Sequence, residues 1–208
     1  MKKIFITALI TFFAFTPTEA QVTFKPTLRA GANFSHFTKG DNYDYYDNDG
    51  NLIDSPTYKS KTDFYVGFAG TLHLTKYYTL QPELDYSRQG SKYTYYDTNL
   101  SRNRTQQLDV SYLSIAFVNK FTFNDKFNVH LGPAIDFVVD KSNNFSPTDI
   151  DLAFVAGLGY NITKNFGIEA RVKKGIIPVN DDYWDDNTDS NHTNVVFSVG
   201  AYYSFDIK

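Results

Sequence analysis

The stretch NVVFSVGAYYSFDI, Asn194 to Ile207, alternates with a period of two. Val195, Phe197, Val199, Ala201, Tyr203, Phe205 and Ile207 fall in one set; Asn194, Val196, Ser198, Gly200, Tyr202, Ser204 and Asp206 fall in the other. Successive side chains of a strand point to opposite faces, so one face is apolar and the other mostly small and polar. A helical period would mix the two sets. The same register appears in FGIEARVK, where Phe166, Ile168, Ala170 and Val172 oppose Gly167, Glu169, Arg171 and Lys173. It recurs in IDLAFVAGLGYNI, with Leu152, Phe154, Leu158 and Tyr160 against Asp151, Gly157, Gly159 and Asn161.

Extended backwards, the pattern predicts eight strands, near 25–37, 62–75, 78–96, 105–122, 127–140, 149–162, 166–179 and 193–207. Lys76-Tyr77, Asn124-Asp125 and Thr163-Lys164-Asn165 read as tight turns, whereas 38–61, 97–104, 141–148 and 180–192 are longer and polar. Short and long connections alternate strictly, as in an up-and-down meander with brief turns at one membrane face and long loops at the other. An even strand number lets the sheet close, which hydrocarbon demands because it offers no water to unpaired backbone groups. The predicted fold is all-β, an eight-stranded antiparallel up-and-down transmembrane β-barrel.

A soluble barrel or sandwich also alternates. Two features favour the membrane. Aromatics crowd the strand ends beside the short turns (Tyr77, Tyr78, Phe121, Phe123, Phe127, Tyr160, Phe166, Tyr203, Phe205), as an interfacial girdle would. The polar face also carries glycines together with charges, namely Gly31, Gly67, Gly157, Gly159 and Gly200 with Arg29, Glu83, Asp85, Lys120, Glu169, Arg171 and Lys173. A soluble barrel would put bulk inside and charge outside, but a narrow membrane barrel must fill its lumen with small and mutually paired polar groups.

The N-terminus adds an address. Met1-Lys2-Lys3, an apolar run from Ile4 to Phe15 and a small residue at Ala20 form the pattern of a signal peptide over 1–20, leaving 21–208 as the barrel domain. The apolar run is too short to span about 30 Å of hydrocarbon as a helix. Cleavage removes Lys2, Lys3 and Glu19 from 20 basic and 23 acidic residues, leaving 18 and 22 and a net charge of −4. That balance carries no nucleic-acid footprint. With no cysteine, an exported chain has neither disulfides nor thiolate metal sites.

LQPELDYSRQG (Leu80 to Gly90), SYLSIAFVNKF (Ser111 to Phe121), RAGANFS (Arg29 to Ser35) and the closing VGAYYSFDIK resemble the PorT-like group of bacterial outer-membrane β-barrel proteins. The resemblance runs over nearly the whole mature chain and rests on strand patterns. In that group the YL-x-I strand usually continues with proline, where this chain has Ala116, and the chain runs three residues past its final aromatic, Phe205. The resemblance implies an OmpA/OmpX-like small barrel in the outer membrane of a Gram-negative bacterium. Its namesake is associated with a protein-secretion apparatus, and the group offers no catalytic residue to carry over.

The charged residues on the inward face, Arg29, Lys120, Arg171 and Lys173 with Glu83, Asp85, Asp136 and Glu169, are expected to pair as a structural plug, since an unpaired charge in so narrow a space costs several kcal/mol. A proton or ion path is the sharper alternative, but eight strands leave an interior just wide enough for side chains. DNYDYYDNDGN, Asp41 to Asn51, falls in the first loop, where such composition is usual for solvated turns. Counting Gly50 as the sixth position of a calcium loop puts Tyr45 first and Pro56 twelfth, so that motif fails. A looser cage could form from Asp44, Asp47 and Asp49 with Asp181, Asp182, Asp185 and Asp186, but a solvated loop is the favoured reading. Asp44, Tyr45, Tyr46, Asp47 and Asp49, with Tyr183, Trp184 and Asp185 of the fourth loop, are the candidate extracellular contacts. Tyrosine and tryptophan near strand ends are more often interfacial anchors.

A rim hydrolase would need a hydroxyl, a histidine and a carboxylate gathered near the outer edge. His36 and His192, with Ser35, Asp182 and Ser190, are the only candidates, while His73 and His130 read as lumenal fillers. None stands in a nucleophile motif. The chain therefore reads as a non-enzymatic integral outer-membrane barrel, structural, surface-interacting or secretion-associated, with no cofactor and no metal. Its surroundings are outer-membrane lipid and lipopolysaccharide, with a protein partner in a membrane complex as a further expectation and no nucleic acid. The competing classes are an outer-membrane hydrolase or acyltransferase with a rim site and a soluble periplasmic lipocalin-like ligand-binding barrel.

Overall fold

A computed structural model describes residues 22–38, 45–46, 52–53, 57–97, 100, 102–142, 147–179 and 192–206. Each alternating segment forms a long strand: β1 Thr23–Phe37, β2 Lys61–His73, β3 Tyr78–Asp97, β4 Arg102–Phe123, β5 Phe127–Lys141, β6 Ile150–Asn161, β7 Phe166–Gly175 and β8 Asn194–Ser204. Neighbours in the chain pair antiparallel, and β1 pairs with β8, so the eight strands close into a ring. The seam is in register from Thr27–Ser204 to Phe37–Asn194. Thr27 Oγ1 lies 2.8 Å from both Thr71 Oγ1 and Ser204 Oγ, tying β8, β1 and β2 together on the inside.

Burial follows the alternation and is inverted relative to a soluble protein. Thr27, Arg29, Asn33, Ser35, Glu83 and Gln89 are buried, whereas Leu28, Phe34, Phe64, Phe68, Leu84 and Phe117 are exposed. So continuous an apolar outer surface is far larger than a soluble monomer carries, and a membrane's hydrocarbon is the solvent that suits it. Of the nine girdle aromatics, eight are exposed and Tyr78 is half-buried. Tyr78 stacks near Phe121 at 5.3 Å between centroids and donates its hydroxyl to Asn119 Oδ1 at 2.7 Å, as an interfacial ring with one wet end should.

Two prolines interrupt the ladders. The β2–β3 register passes from Ala69–Glu83 to Leu72–Leu80 without rungs opposite Pro82, and β4–β5 passes from Ala116–Ala134 to Asn119–Leu131 without rungs opposite Pro133. Proline has no N–H to give. A third irregularity, between Ser111 and Tyr112, leaves Val139 of β5 unpaired as a bulge.

Some boundaries differ from the sequence expectation. β7 ends at Gly175 rather than 179. Pro178 cannot continue the ladder, and the Ile177 N–H goes instead to Asp151 Oδ1 at 3.2 Å. The expected loop 38–61 contains a small ladder, Tyr45–Tyr46 with Leu52–Ile53, and a short strand, Thr57–Lys59, that pairs with Lys92–Thr94 of β3. The loop expected at 97–104 shrinks, because β3 and β4 stay paired to the Asp97–Arg102 rung. The last rung of β4 with β5 is Val110–Lys141, so Arg102–Asp109 runs beyond it, about 25 Å of strand at the usual rise.

Candidate functional site

Period two directs the side chains of Arg29, Glu83, Asp85, Glu169 and Arg171 into the lumen from β1, β3 and β7. None of these strands is a neighbour of another in the ring. The closed ring brings them together near the middle of the barrel. Arg29 ion-pairs with Glu83, reaches Asp85 Oδ2 at 2.9 Å and places Nη2 2.6 Å from Glu169 Oε1. Arg171 grips Glu83 with both terminal nitrogens, at 2.8 and 3.0 Å, and reaches Glu169 Oε2 at 2.9 Å. Two guanidiniums and two glutamates thus share every bond in a cycle, with Tyr65 and Gln81 donating to Glu169 and Glu83 at 2.9 and 2.7 Å. Such charge-assisted, multiply bonded pairs are the strong kind, and they satisfy the rule that buried charge must be paired. The Arg29 side chain is 2% exposed and those of Glu83 and Glu169 1%, so solvent screens little of this.

The remaining lumenal charges separate from the cycle. Asp136 accepts from Ser114 Oγ at 2.5 Å and ion-pairs with Lys173, forming a second cluster between β4, β5 and β7. Lys120 departs from the expected carboxylate pairing: no ion pair holds it among the described residues, and its Nζ lies 4.2 Å from the centroid of the Tyr202 ring. The register explains this, since Lys120 is level with Thr79 and His130, four residues along β4 from the Ala116–Glu83 rung. His130 is fully buried, with Nε2 2.5 Å from Asn128 Oδ1 and Nδ1 3.8 Å from Glu169 Oε2, so the filler role expected of it places it beside the cycle. Asp85 keeps one oxygen, Oδ1, without a hydrogen-bond partner in the protein.

Tyr65, Gln81 and Asp151 were not singled out from sequence, although all three stand at inward positions. The signal for Tyr65 was the paired glycines Gly31 and Gly200. A Cβ on Gly31 would run into the Tyr65 ring and one on Gly200 into its hydroxyl, so their emptiness is the space this side chain occupies.

Above the cycle a cavity of about 40 Å³ opens between Asn33, Ser87, Ser114, Lys173 and Ser198, room for a very few waters. Beyond it the lumen changes character. Phe37, Leu108, Val110, Tyr112 and Val179 form an apolar cluster, with Tyr58 and Tyr93 packed against it. A smaller apolar wall, Ala116, Val118, Ala134, Ala153 and Val155, lines the β4–β6 side.

Of the rim residues weighed for hydrolysis, the described ones, Ser35, His36 and His192, are engaged with other partners or faces rather than with one another. Ser35 is buried and faces inward, its hydroxyl exchanging bonds of 2.9 Å with the Gly90 backbone, whereas His36, the next residue, falls on the opposite face. His192 holds its Nδ1 2.6 Å from the Thr38 carbonyl and packs its ring on Tyr58 at 4.7 Å. Asp182 and Ser190 lie outside the described residues, as do Asp44, Asp47, Asp49, Asp181, Tyr183, Trp184, Asp185 and Asp186. Tyr45 and Tyr46 are described only as backbone in the small ladder. Among the described residues no group of three or more histidine, cysteine or acidic side chains could hold a metal ion.

A family model described as an outer membrane protein beta-barrel domain matches residues 5–207. Among solved structures, the chain is similar to Ail, the attachment invasion locus protein of Yersinia pestis, in complex with the heparin analogue sucrose octasulfate. Identity there is 16%, over 88% of this chain and 99% of that one, with a TM-score of 0.47. It is also similar to Neisserial surface protein A, at 15% identity over 86% and 97% with a TM-score of 0.49. A third is OprG from Pseudomonas aeruginosa, at 14% identity over 87% and 96% with a TM-score of 0.43. No curated protein matches the chain.

Proposed function

The chain belongs to the outer membrane protein beta-barrel domain family, and from that premise we propose that this integral outer-membrane barrel is a non-enzymatic, closed scaffold whose work is done at its outer surface. The carrying observation is the lumen. Five charged side chains from three strands bond into one cluster, an apolar cluster caps it, and the space beside it is about 40 Å³. A barrel stopped in this way is unsuited to carrying solute, so binding is left to what it displays outside. The extended β3–β4 hairpin is one displayed element, and the sequence assigns the acidic loops 38–61 and 180–192, which carry Tyr45, Tyr46, Tyr183 and Trp184, to the same end. The resemblance to PorT-like barrels supports an accessory place beside a secretion apparatus.

Planar-bilayer recording of the refolded protein tests the stopped lumen. Conductance at background is expected, and discrete steps comparable to those of small porins would overturn it. For the secretion role, the gene is deleted and the culture supernatant compared: loss of exported proteins with an intact outer membrane is expected. An unchanged supernatant removes secretion and leaves surface interaction.

A further inference from the structure

The wall between β2 and β3 is split at its outer end. Their last shared rung is Tyr65–Ser87, and β3 meets that side of the sheet again only at Lys59–Lys92. Between these rungs Lys61–Phe64 and Arg88–Ser91 do not pair with one another, while each stays paired to its other neighbour. Gly90 lies in the split with φ at 141°, a conformation side chains rarely adopt. A Cβ on it would run into the Leu108 carbonyl. Across the split Lys61 reaches past β3 and places Nζ 2.5 Å from Asp109 Oδ1 on β4, while also ion-pairing with Asp63. The opening left outside these contacts is a cleft of about 300 Å³, bordered by Arg88, Lys92 and Gln107 as well.

Position and charge both bear on what fits it. On β2 the outward apolar positions end at Phe64, followed by Thr62, and on β4 they end at Leu113, followed by Ser111, which lies buried against the Tyr86 hydroxyl, and then by Asp109. The cleft therefore opens just above the apolar belt, at the level of headgroups rather than hydrocarbon. Lys59 and Lys92 stand directly opposite each other, outward, on paired strands, an arrangement that is destabilising when nothing lies between the charges. Neither has a carboxylate partner among the described residues. Among the described residues the one carboxylate near Arg88 is Asp63, with Nε 3.8 Å from Oδ1, and the guanidinium sits 6.0 Å above the Phe64 ring. Four cations thus meet two carboxylates in a chain whose net charge is −3, and both carboxylates are engaged by Lys61.

We propose that this split is a binding site for a phosphate-bearing lipid headgroup of the outer leaflet. Arg88 supplies the planar fork that matches a phosphate, and Lys59 and Lys92 supply flanking charges whose mutual repulsion the anion relieves. Asp63 and Asp109 hold Lys61 in the wall. Phe64 and Leu113 lie below, where the lipid's chains continue.

The test is native mass spectrometry of refolded protein incubated with bisphosphorylated lipid A or with its dephosphorylated form. Wild type is expected to retain the phosphorylated lipid about tenfold better. The triple variant Lys59→Gln, Arg88→Gln, Lys92→Gln should lose that preference while keeping the heat-dependent gel shift of a closed barrel. Should the triple variant fail to fold, Arg88→Gln alone is expected to weaken retention several-fold. Lys126→Gln with Lys164→Gln, at the short turns, should change nothing. Equal retention of the two lipids by wild type, or an unchanged preference in the folded variants, overturns the proposal. Displacement of the lipid by millimolar inorganic phosphate overturns the lipid assignment in favour of a free-anion site.

Discussion

Replacing Arg29 with methionine tests whether the lumenal cycle holds the barrel together. Arg29 touches three carboxylates, Glu83, Asp85 and Glu169, and no other described residue bonds to all three. In the wild type two guanidiniums face three carboxylates, a cluster charge of −1 before any proton is taken up. Methionine fills similar volume but leaves Arg171 alone against three anions, a charge of −2 in a space where water scarcely enters. Removing one partner of a buried pair costs about 3–5 kcal/mol, mostly as the penalty of the charge left behind. With a slope of about 4 kcal/mol per molar guanidinium chloride, the unfolding midpoint should fall by about 1 M. The comparison that gives the number meaning is Asp85→Asn. That change brings the cluster to neutrality and sacrifices one bond of 2.9 Å, while Asp85 Oδ1 already lacks a partner, so it should cost about 1 kcal/mol or less. The assay is guanidinium unfolding of protein refolded into lipid vesicles, followed by the far-ultraviolet circular dichroism of the strands and the heat-dependent gel shift. If Arg29→Met unfolds within about 1 kcal/mol of wild type, or Asp85→Asn costs as much as Arg29→Met, the cycle is not the lumen's main support.

Phe68 is 66% exposed and paired with Leu28 and Leu84 in mid-belt, so Phe68→Arg should cost about 2–4 kcal/mol in a bilayer; an unchanged midpoint in the same unfolding assay would mean that this face does not meet lipid. Gly90→Val forces a β-branched residue to φ 141° and drives its Cβ against the Leu108 carbonyl. A loss of about 1–3 kcal/mol is expected, with faster proteolysis of the hairpin beyond it; unchanged stability and cleavage would refute the requirement for glycine. At the β1–β8 seam, the Lys25 ammonium 2.5 Å away and the Asn165 amide hold the Asp206 carboxyl below its ordinary range. A depressed carboxylate contributes stability that is present above its unfolded value and lost as pH falls through its folded one. Asp206→Asn should therefore be slightly destabilising near neutrality and silent in strong acid; an NMR titration of Asp206 at or above 3.8 would refute the linkage.

Much of the architecture was legible because it is local. Leu28, Phe34, Phe68 and Phe117 had to point away from Arg29, Asn33, Gly67 and Ala116 once the segments were strands, and the tight turns at 76–77, 124–125 and 163–165 set the up-and-down order. Where the reading slipped, a nonlocal partner decided. β7 stops early because Asp151 takes the Ile177 N–H, and loop 38–61 gains a strand because Lys92–Thr94 offers it an edge. The pairing expected of Lys120 failed for a related reason: facing inward says nothing about height, and it sits level with Tyr202 rather than with the carboxylates.

By itself, then, the sequence determined which side of the wall each strand residue occupies, because alternation is a property of the extended backbone and needs no partner. The closed ring alone decided which inward residues meet. Arg29 and Glu169, 140 positions apart, touch because of the strand stagger around the whole barrel, a quantity no single segment encodes. The same stagger fails to carry β2 and β3 together at their outer end, and that is what lets Lys61 cross to Asp109 and sets Lys59 against Lys92.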